Sequence, residues 1–352
     1  MDIRGQPSSG SDRLFGQLGS TLPRRILLLA LLAAGAYLLV PQVVGMHDTV
    51  ALLRQASLWP LAGSLLCQVG SVLSQSYVAY RLMSSLGPGL GFGRALQIML
   101  SSSLATLLIP SAGVSGLVVR ARYLGELGFP TDVTLLGYYL ETLAQGIGQS
   151  IVVSGALFAG ALHGRADLLR PLVVLFGGVL LGGAALALLL SRPREGDWRH
   201  AALERLNAVL VRLRRKPLTV QHLEQRLHKV RSALASLGRM DQLRLLVGGT
   251  TRVLASALSL QLALQACGQS VPLRTTIIAF SISDVLGYLS TLPGGLVVIE
   301  TSLLALLASL GVPLAGATAA TLIYRLFSLW LPRSLGALTW FNLQRKSSKP
   351  FW

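Results

Sequence analysis

The chain has 352 residues, 52% hydrophobic and 13% charged, with a mean hydropathy of +0.61; this composition excludes an ordinary soluble domain and places it among polytopic membrane proteins. Its formal net charge of +17 sits in caps and one loop between apolar stretches, which speaks for orientation by cytoplasmic charge and for anionic lipid, not for nucleic acid. Two cysteines, Cys67 and Cys267, each inside an apolar stretch, give neither a disulfide framework nor metal-ligand spacing and read as small packing residues.

Residues 1–23 are polar and rich in Gly, Ser and Pro, the composition of a disordered cytoplasmic N-terminus. Arg24-Arg25 opens an apolar run to about Gly45 that is long enough for a first spanning helix, and residues 57–80 give a second. That second span carries Gln68, Ser71, Ser74, Gln75 and Ser76, side chains that more often glue helices together than bind a ligand. From Arg94 the chain is apolar up to Leu108-Ile109-Pro110-Ser111-Ala112-Gly113, where proline removes a backbone donor and glycine adds no side chain, so the helix must break. The arm beyond, with Gly116, Arg120, Arg122 and Glu126, is too polar to cross a bilayer. Residues 131–162 and 171–191 make two further spans.

Between Arg192 and Asp241 there are twelve Lys or Arg against five Asp or Glu, which places this loop in the cytoplasm. Within it, Leu203, Leu206, Leu210 and Leu213, and then Val220, Leu223, Leu227, Val230, Leu234 and Leu237, recur at steps of three and four and predict two amphipathic helices, a hairpin packed on itself or on the membrane face. His200, His222 and His228 fit no ligand pattern and read as solvated. Residues 243–267 span again.

The second break, Leu292-Pro293-Gly294-Gly295, repeats the first. Arg274 opens its unit as Arg94 opens the other, and twenty positions after each proline comes a matching phrase, Leu127-Gly128-Phe129-Pro130 and Leu310-Gly311-Val312-Pro313. Residues 314–335 form the last span before a basic tail, 344–352. With both termini and the basic loop cytoplasmic, parity leaves no net crossing for either broken unit, and the two enter from opposite faces. The expected fold is all-α: about six full spans and two oppositely inserted broken or re-entrant units, an inverted repeat, within residues 24–343. Broken helices at corresponding places in two halves are the strongest sequence pointer to a transport site.

Ionisable residues inside apolar stretches are expensive and are functional candidates by default. Arg120, Glu141, Glu300 and Arg325 stand out, with Asp284, nine residues before Pro293, as a further polar lining group. Two readings stay open: a buried ion-pair network that only holds helices together, or a site where Arg120 and Arg325 grip a phosphate through paired donors, helped by exposed amides at the broken helix ends. No Gly-x-Ser-x-Gly, Walker loop or His-Glu-x-x-His occurs, so neither enzyme chemistry nor a cofactor is expected.

At Pro110-Ser111-Ala112-Gly113 with Gly116-Leu117-Val118-Val119-Arg120, at Pro293 through Glu300, and at Gly311-Val312-Pro313 leading to Tyr324-Arg325-Leu326 and Trp330-Leu331-Pro332, the sequence resembles the flippase-like transmembrane domain of the lysylphosphatidylglycerol synthetase family. The resemblance covers roughly residues 25–340 and is closer in the second unit; Glu141 matches the family's acidic position, with Thr142 where an arginine is common. It implies a multi-pass protein of the bacterial inner membrane that moves a polar-headgroup lipid between leaflets for envelope lipid biosynthesis. No aminoacyltransferase domain follows in this sequence, so synthetase activity is not implied. The alternatives are a scaffold that binds a lipid-modifying enzyme through residues 192–241 and, third, an integral membrane transferase.

Overall fold

The computed structural model describes residues 46–108, 114–161, 237–290 and 292–346, and among them every regular element is helical. The expected spans at 26–45 and 171–191, the hairpin of the basic loop, its three histidines, the tail beyond Lys346 and the first break itself, Pro110 to Gly113, lie outside the described residues. Ten α-helices follow in order: α1 (Met46–Arg54), α2 (Leu58–Leu86), α3 (Phe92–Leu108), α4 (Val114–Glu126), α5 (Thr131–Ala161), α6 (Arg239–Ala266), α7 (Leu273–Leu289), α8 (Val298–Ser309), α9 (Leu314–Arg325) and α10 (Leu331–Lys346). A single 3₁₀ turn, Pro293–Gly295, joins α7 to α8, and a π-turn, Leu326–Trp330, joins α9 to α10.

Three stretches of the described residues are long and apolar enough to cross a membrane: Thr131–Ala159, Arg239–Ala266 and Leu314–Leu343; α1 with α2, bent by 87° between Arg54 and Leu58, makes a fourth if counted as one span. The protein is therefore a helical, multi-pass membrane protein. Two expected ends move. The second span continues past Tyr80 to Leu86, where Gly87 and Pro88 stop it. The last continues past Leu335 to Lys346, with Pro332 accommodated by the π-turn Leu326–Trp330 that precedes it.

The repeat seen in the sequence is a repeat of elements. Both α3 and α7 have 17 residues and carry Arg94 and Arg274 in their first turns. Both α4 and α8 end at a glycine with positive φ, Gly128 at +87° and Gly311 at +91°, which a side chain would strain. After α8 the Val312 N–H reaches the Leu307 carbonyl at 3.0 Å and the Gly311 N–H reaches Ala308 at 3.0 Å, the paired bonds of a glycine C-cap. Phe129 and Val312, the next residues, are both buried.

The chain divides into two compact units. Residues 69–95 and 127–256 form one. There α2, α5 and α6 approach through small residues: a Cβ on Gly148 would stand 2.6 Å from the Gly249 carbonyl carbon, and one on Gly249 would strike the Ala144 carbonyl. Such close backbones are how helices associate where lipid removes the hydrophobic drive. Ser71 bonds Ser256 at 2.7 Å and Ser74 donates to the Gly248 carbonyl at 2.9 Å, the gluing role expected of those side chains. Arg81 meets Asp241, which also holds Arg244 at 3.2 Å.

Residues up to 68, 96–126 and 257–352 form the other unit. Here α7 packs on α8, α8 on α9 and α9 on α1, with Gly316, Ala317, Ala319 and Ala320 making a buried small-residue face on α9. A Cβ on Gly336 of α10 would strike the Leu100 carbonyl of α3, and Ser101 bonds Thr339 across the same crossing at 3.0 Å.

Candidate functional site

The second break is built from backbone chemistry first. Leu292 is extended, Pro293 begins the turn, and Gly294 and Gly295 take φ of +62° and +65°. Val297, which precedes α8, has φ 70° and ψ −44° and is the one non-glycine with positive φ among the described residues. A β-branched residue there is strained by about 1–3 kcal/mol and persists only if its surroundings dictate it. They do: a Cβ on Gly295 would lie 2.7 Å from Ile299 Cδ1 and 3.2 Å from Gly287 Cα, so the break is pressed directly against α7.

Glu300 lies in the first turn of α8, where a carboxylate complements the positive end of the helix dipole. Its Oε1 accepts the Arg325 Nε–H at 2.5 Å, and Arg325 also donates Nη2 to the Gly294 carbonyl at 3.2 Å. The two residues are 6% and 4% exposed, so this is a buried pair. Arg325 thus fastens the end of α9 both to the α8 carboxylate and to the backbone of the break. Glu300 Oε2 is buried without a hydrogen-bond partner among the described residues, as are the hydroxyls of Ser290 and Ser328 on the elements that flank the break.

A residue that the sequence reading missed joins this cluster. Arg333 of α10 donates Nη1 to the Leu329 carbonyl at 3.0 Å, and a Cβ on Gly294 would stand only 3.0 Å from its Nη2. The charges that face it are Arg325 and Glu300. The available signal was Pro332, a proline inside an apolar span with an arginine after it.

The other candidates are placed separately. Arg120, half-buried on α4, donates Nε to Ser102 of α3 at 3.1 Å. The α3–α4 hairpin is tight there: a Cβ on Gly116 would stand 2.8 Å from the Ser102 carbonyl oxygen, and Ser115 donates to the Ala105 carbonyl at 3.0 Å. Asp284 is half-buried on α7. Glu141 is buried on α5 in the other unit, where Gln145 at 3.1 Å and Gln75 at 3.4 Å donate to its Oε1. Of the four charges singled out from sequence, the structure pairs Glu300 with Arg325.

Residues 26–336 match the family described as Lysylphosphatidylglycerol synthase TM region. A UPF0104 membrane protein of Methanothermobacter thermautotrophicus is 28% identical over 205 residues, which is 55% of this chain and 57% of that protein, so the match spans little more than half of the relative.

Proposed function

This chain belongs to the lysylphosphatidylglycerol synthase TM family, and from that premise we propose that it moves a lipid with a phosphate-bearing or other polar headgroup across a bacterial cytoplasmic membrane, for envelope lipid synthesis and without hydrolysing ATP itself. One observation carries the reading: a buried Arg325–Glu300 pair tied to the carbonyl of a glycine break. Irregular backbone at membrane depth is sustained where it lines a polar path, and buried ionisable groups beside it mark what travels there. The repeated α3–α4 and α7–α8 units, entering from opposite faces in the topology that positive-inside parity gives, supply the inverted halves that alternate access requires. Arg120 on the first unit is a candidate contact for the headgroup.

Reconstitution tests this. Proteoliposomes carrying a headgroup-labelled phospholipid should expose inner-leaflet label to a membrane-impermeant quencher faster than protein-free liposomes, and Arg120→Gln, recovered in folded form, should slow that exposure. Wild-type protein that is folded but moves neither phosphatidylglycerol nor a polyprenyl-phosphate lipid above the protein-free rate would refute the proposal.

A further inference from the structure

The break at Gly294 gathers two guanidiniums and one carboxylate. One carboxylate oxygen is taken: Glu300 Oε1 bonds Arg325 Nε, and the Nη2 beside it is bonded to the Gly294 carbonyl, so the side-on edge by which Arg325 would grip an oxyanion is occupied. Arg333 is the reverse case. Its Nη1 is used on the Leu329 carbonyl, its buried Nε has no partner, and neither Nε nor Nη2 hydrogen-bonds any described residue. That leaves open the edge whose two parallel N–H groups match a phosphate or carboxylate.

Helix geometry explains how Arg333 arrives there. In a regular α-helix a residue eight positions after Arg325 would point about 80° away from it. Pro332 has no N–H for the Ser328 carbonyl, the helix widens into the π-turn Leu326–Trp330, and the Leu331 N–H reaches back to Leu326. A π-turn absorbs one residue, so Arg333 takes the place of a seventh residue, about 20° from Arg325 and about 10 Å further along. Its guanidinium then lies beside Gly294, where a Cβ would stand 3.0 Å from Nη2. Arg333 faces a second cation, Arg325, as well as Glu300, and its open edge at the polar break favours completion by an anion.

We infer that Arg333, cradled by Gly294, is an oxyanion-binding residue: its open Nε/Nη2 edge takes a phosphate group, while Arg325 and Glu300 position the break beneath it. The inference rests on the proposed function only for the source of that phosphate, a lipid headgroup; the alternative source is free inorganic phosphate.

The full chain, purified in a zwitterionic detergent, is compared with Arg333→Gln and Arg333→Lys by thermal unfolding and by native mass spectrometry, with phosphatidylglycerol in one arm, inorganic phosphate in another and phosphatidylcholine as the control. Wild type should be stabilised by one or both anions. Arg333→Gln should fold, being relieved of an unpaired charge, yet bind the anion about tenfold or more weakly, the loss expected for a charge-assisted bidentate contact; Arg333→Lys should recover little. Phosphatidylglycerol alone acting would name the lipid headgroup, inorganic phosphate alone a soluble anion, and either supports the site. Equal anion affinity in folded wild type and Arg333→Gln would overturn it. Lipid movement by wild type reports separately on the proposed function, so binding without movement sinks that proposal and leaves this site standing.

Discussion

Removing Glu300 and removing Arg325 should not cost the same. At 2.5 Å the pair's attraction is about 6–7 kcal/mol at an effective dielectric of about 20, and desolvation of two groups only 6% and 4% exposed offsets much of it. Breaking such a pair by deleting one partner costs about 3–5 kcal/mol, because the survivor is left buried and charged, whereas replacing both can be close to neutral. Glu300→Gln strands a guanidinium that cannot shed its proton. Arg325→Gln strands a carboxyl that can take one up, and that sits at the favourable end of α8, a contribution of about 0.3–1 kcal/mol. Glu300→Gln is therefore expected to be the worse single change, with Arg325→Gln milder and the double variant nearest to wild type. At about 2 °C per kcal/mol for a chain of this size, Glu300→Gln should lower the unfolding midpoint by about 6–10 °C, followed by fluorescence-detected size exclusion after heating. A double variant as unstable as Glu300→Gln alone would refute the ion-pair reasoning, as would a fully stable Glu300→Gln protein.

Three further outcomes follow from the same geometry. Gly294→Ala meets both a positive φ and the Arg333 and Leu329 side chains at 3.0 and 3.1 Å and should lose about 1–3 kcal/mol together with anion binding, whereas Gly311→Ala, with nothing within 4 Å, should lose only the roughly 1 kcal/mol of backbone strain; equal effects in the two would show that the Arg333 contact is immaterial. Pro332→Ala restores an N–H for the Ser328 carbonyl, so the π-turn should close and turn Arg333 away by about 100°, leaving folded protein whose anion affinity matches Arg333→Gln; unchanged affinity would refute the register argument. In a variant without Cys67 and Cys267, an impermeant thiol reagent applied to intact cells should label Ser270→Cys, which is exposed, and leave Arg226→Cys unlabelled; labelling at 226 would overturn the cytoplasmic assignment of the basic loop.

What the sequence made legible was the chemistry that a residue carries by itself. Proline and glycine fix backbone behaviour locally, so the Pro293-Gly294-Gly295 break could be read without knowing any neighbour. Likewise the polar stripe of α2 was read as glue, and Ser71 and Ser74 bond across helices. Pairing was not legible. The rule that a buried charge needs a partner does not choose between Glu141 and Glu300 for Arg325; the choice depends on the turn that folds α8 against α9 across 25 residues, while Glu141 finds Gln75 and Gln145 instead. The Arg81–Asp241 contact joins residues 160 apart at helix ends that read as ordinary charged caps. Arg333 was hidden for a subtler reason: counting at 100° per residue takes it off the Arg325 face, and only the π-turn that Pro332 imposes brings it back.

In the sequence the buried charges read as either a structural network or a phosphate site. With Arg333 as the inferred oxyanion-binding residue, those roles divide between two arginines. Arg325 has its gripping edge committed to Glu300 and to the Gly294 carbonyl, so it holds the break in shape; Arg333 has that edge open and leans over the same glycine. On the proposed reading, an open guanidinium edge beside a rigid backbone turn would bind an anion without having to reorganise, because the strain at Val297 and the positive φ of two glycines were already met on folding. If the protein moves a lipid as proposed, it must also release its cargo, and one open guanidinium grips a phosphate less tightly than two. On that proposal the Glu300 carboxylate, by occupying Arg325, leaves a site strong enough to admit a headgroup and weak enough to let it go.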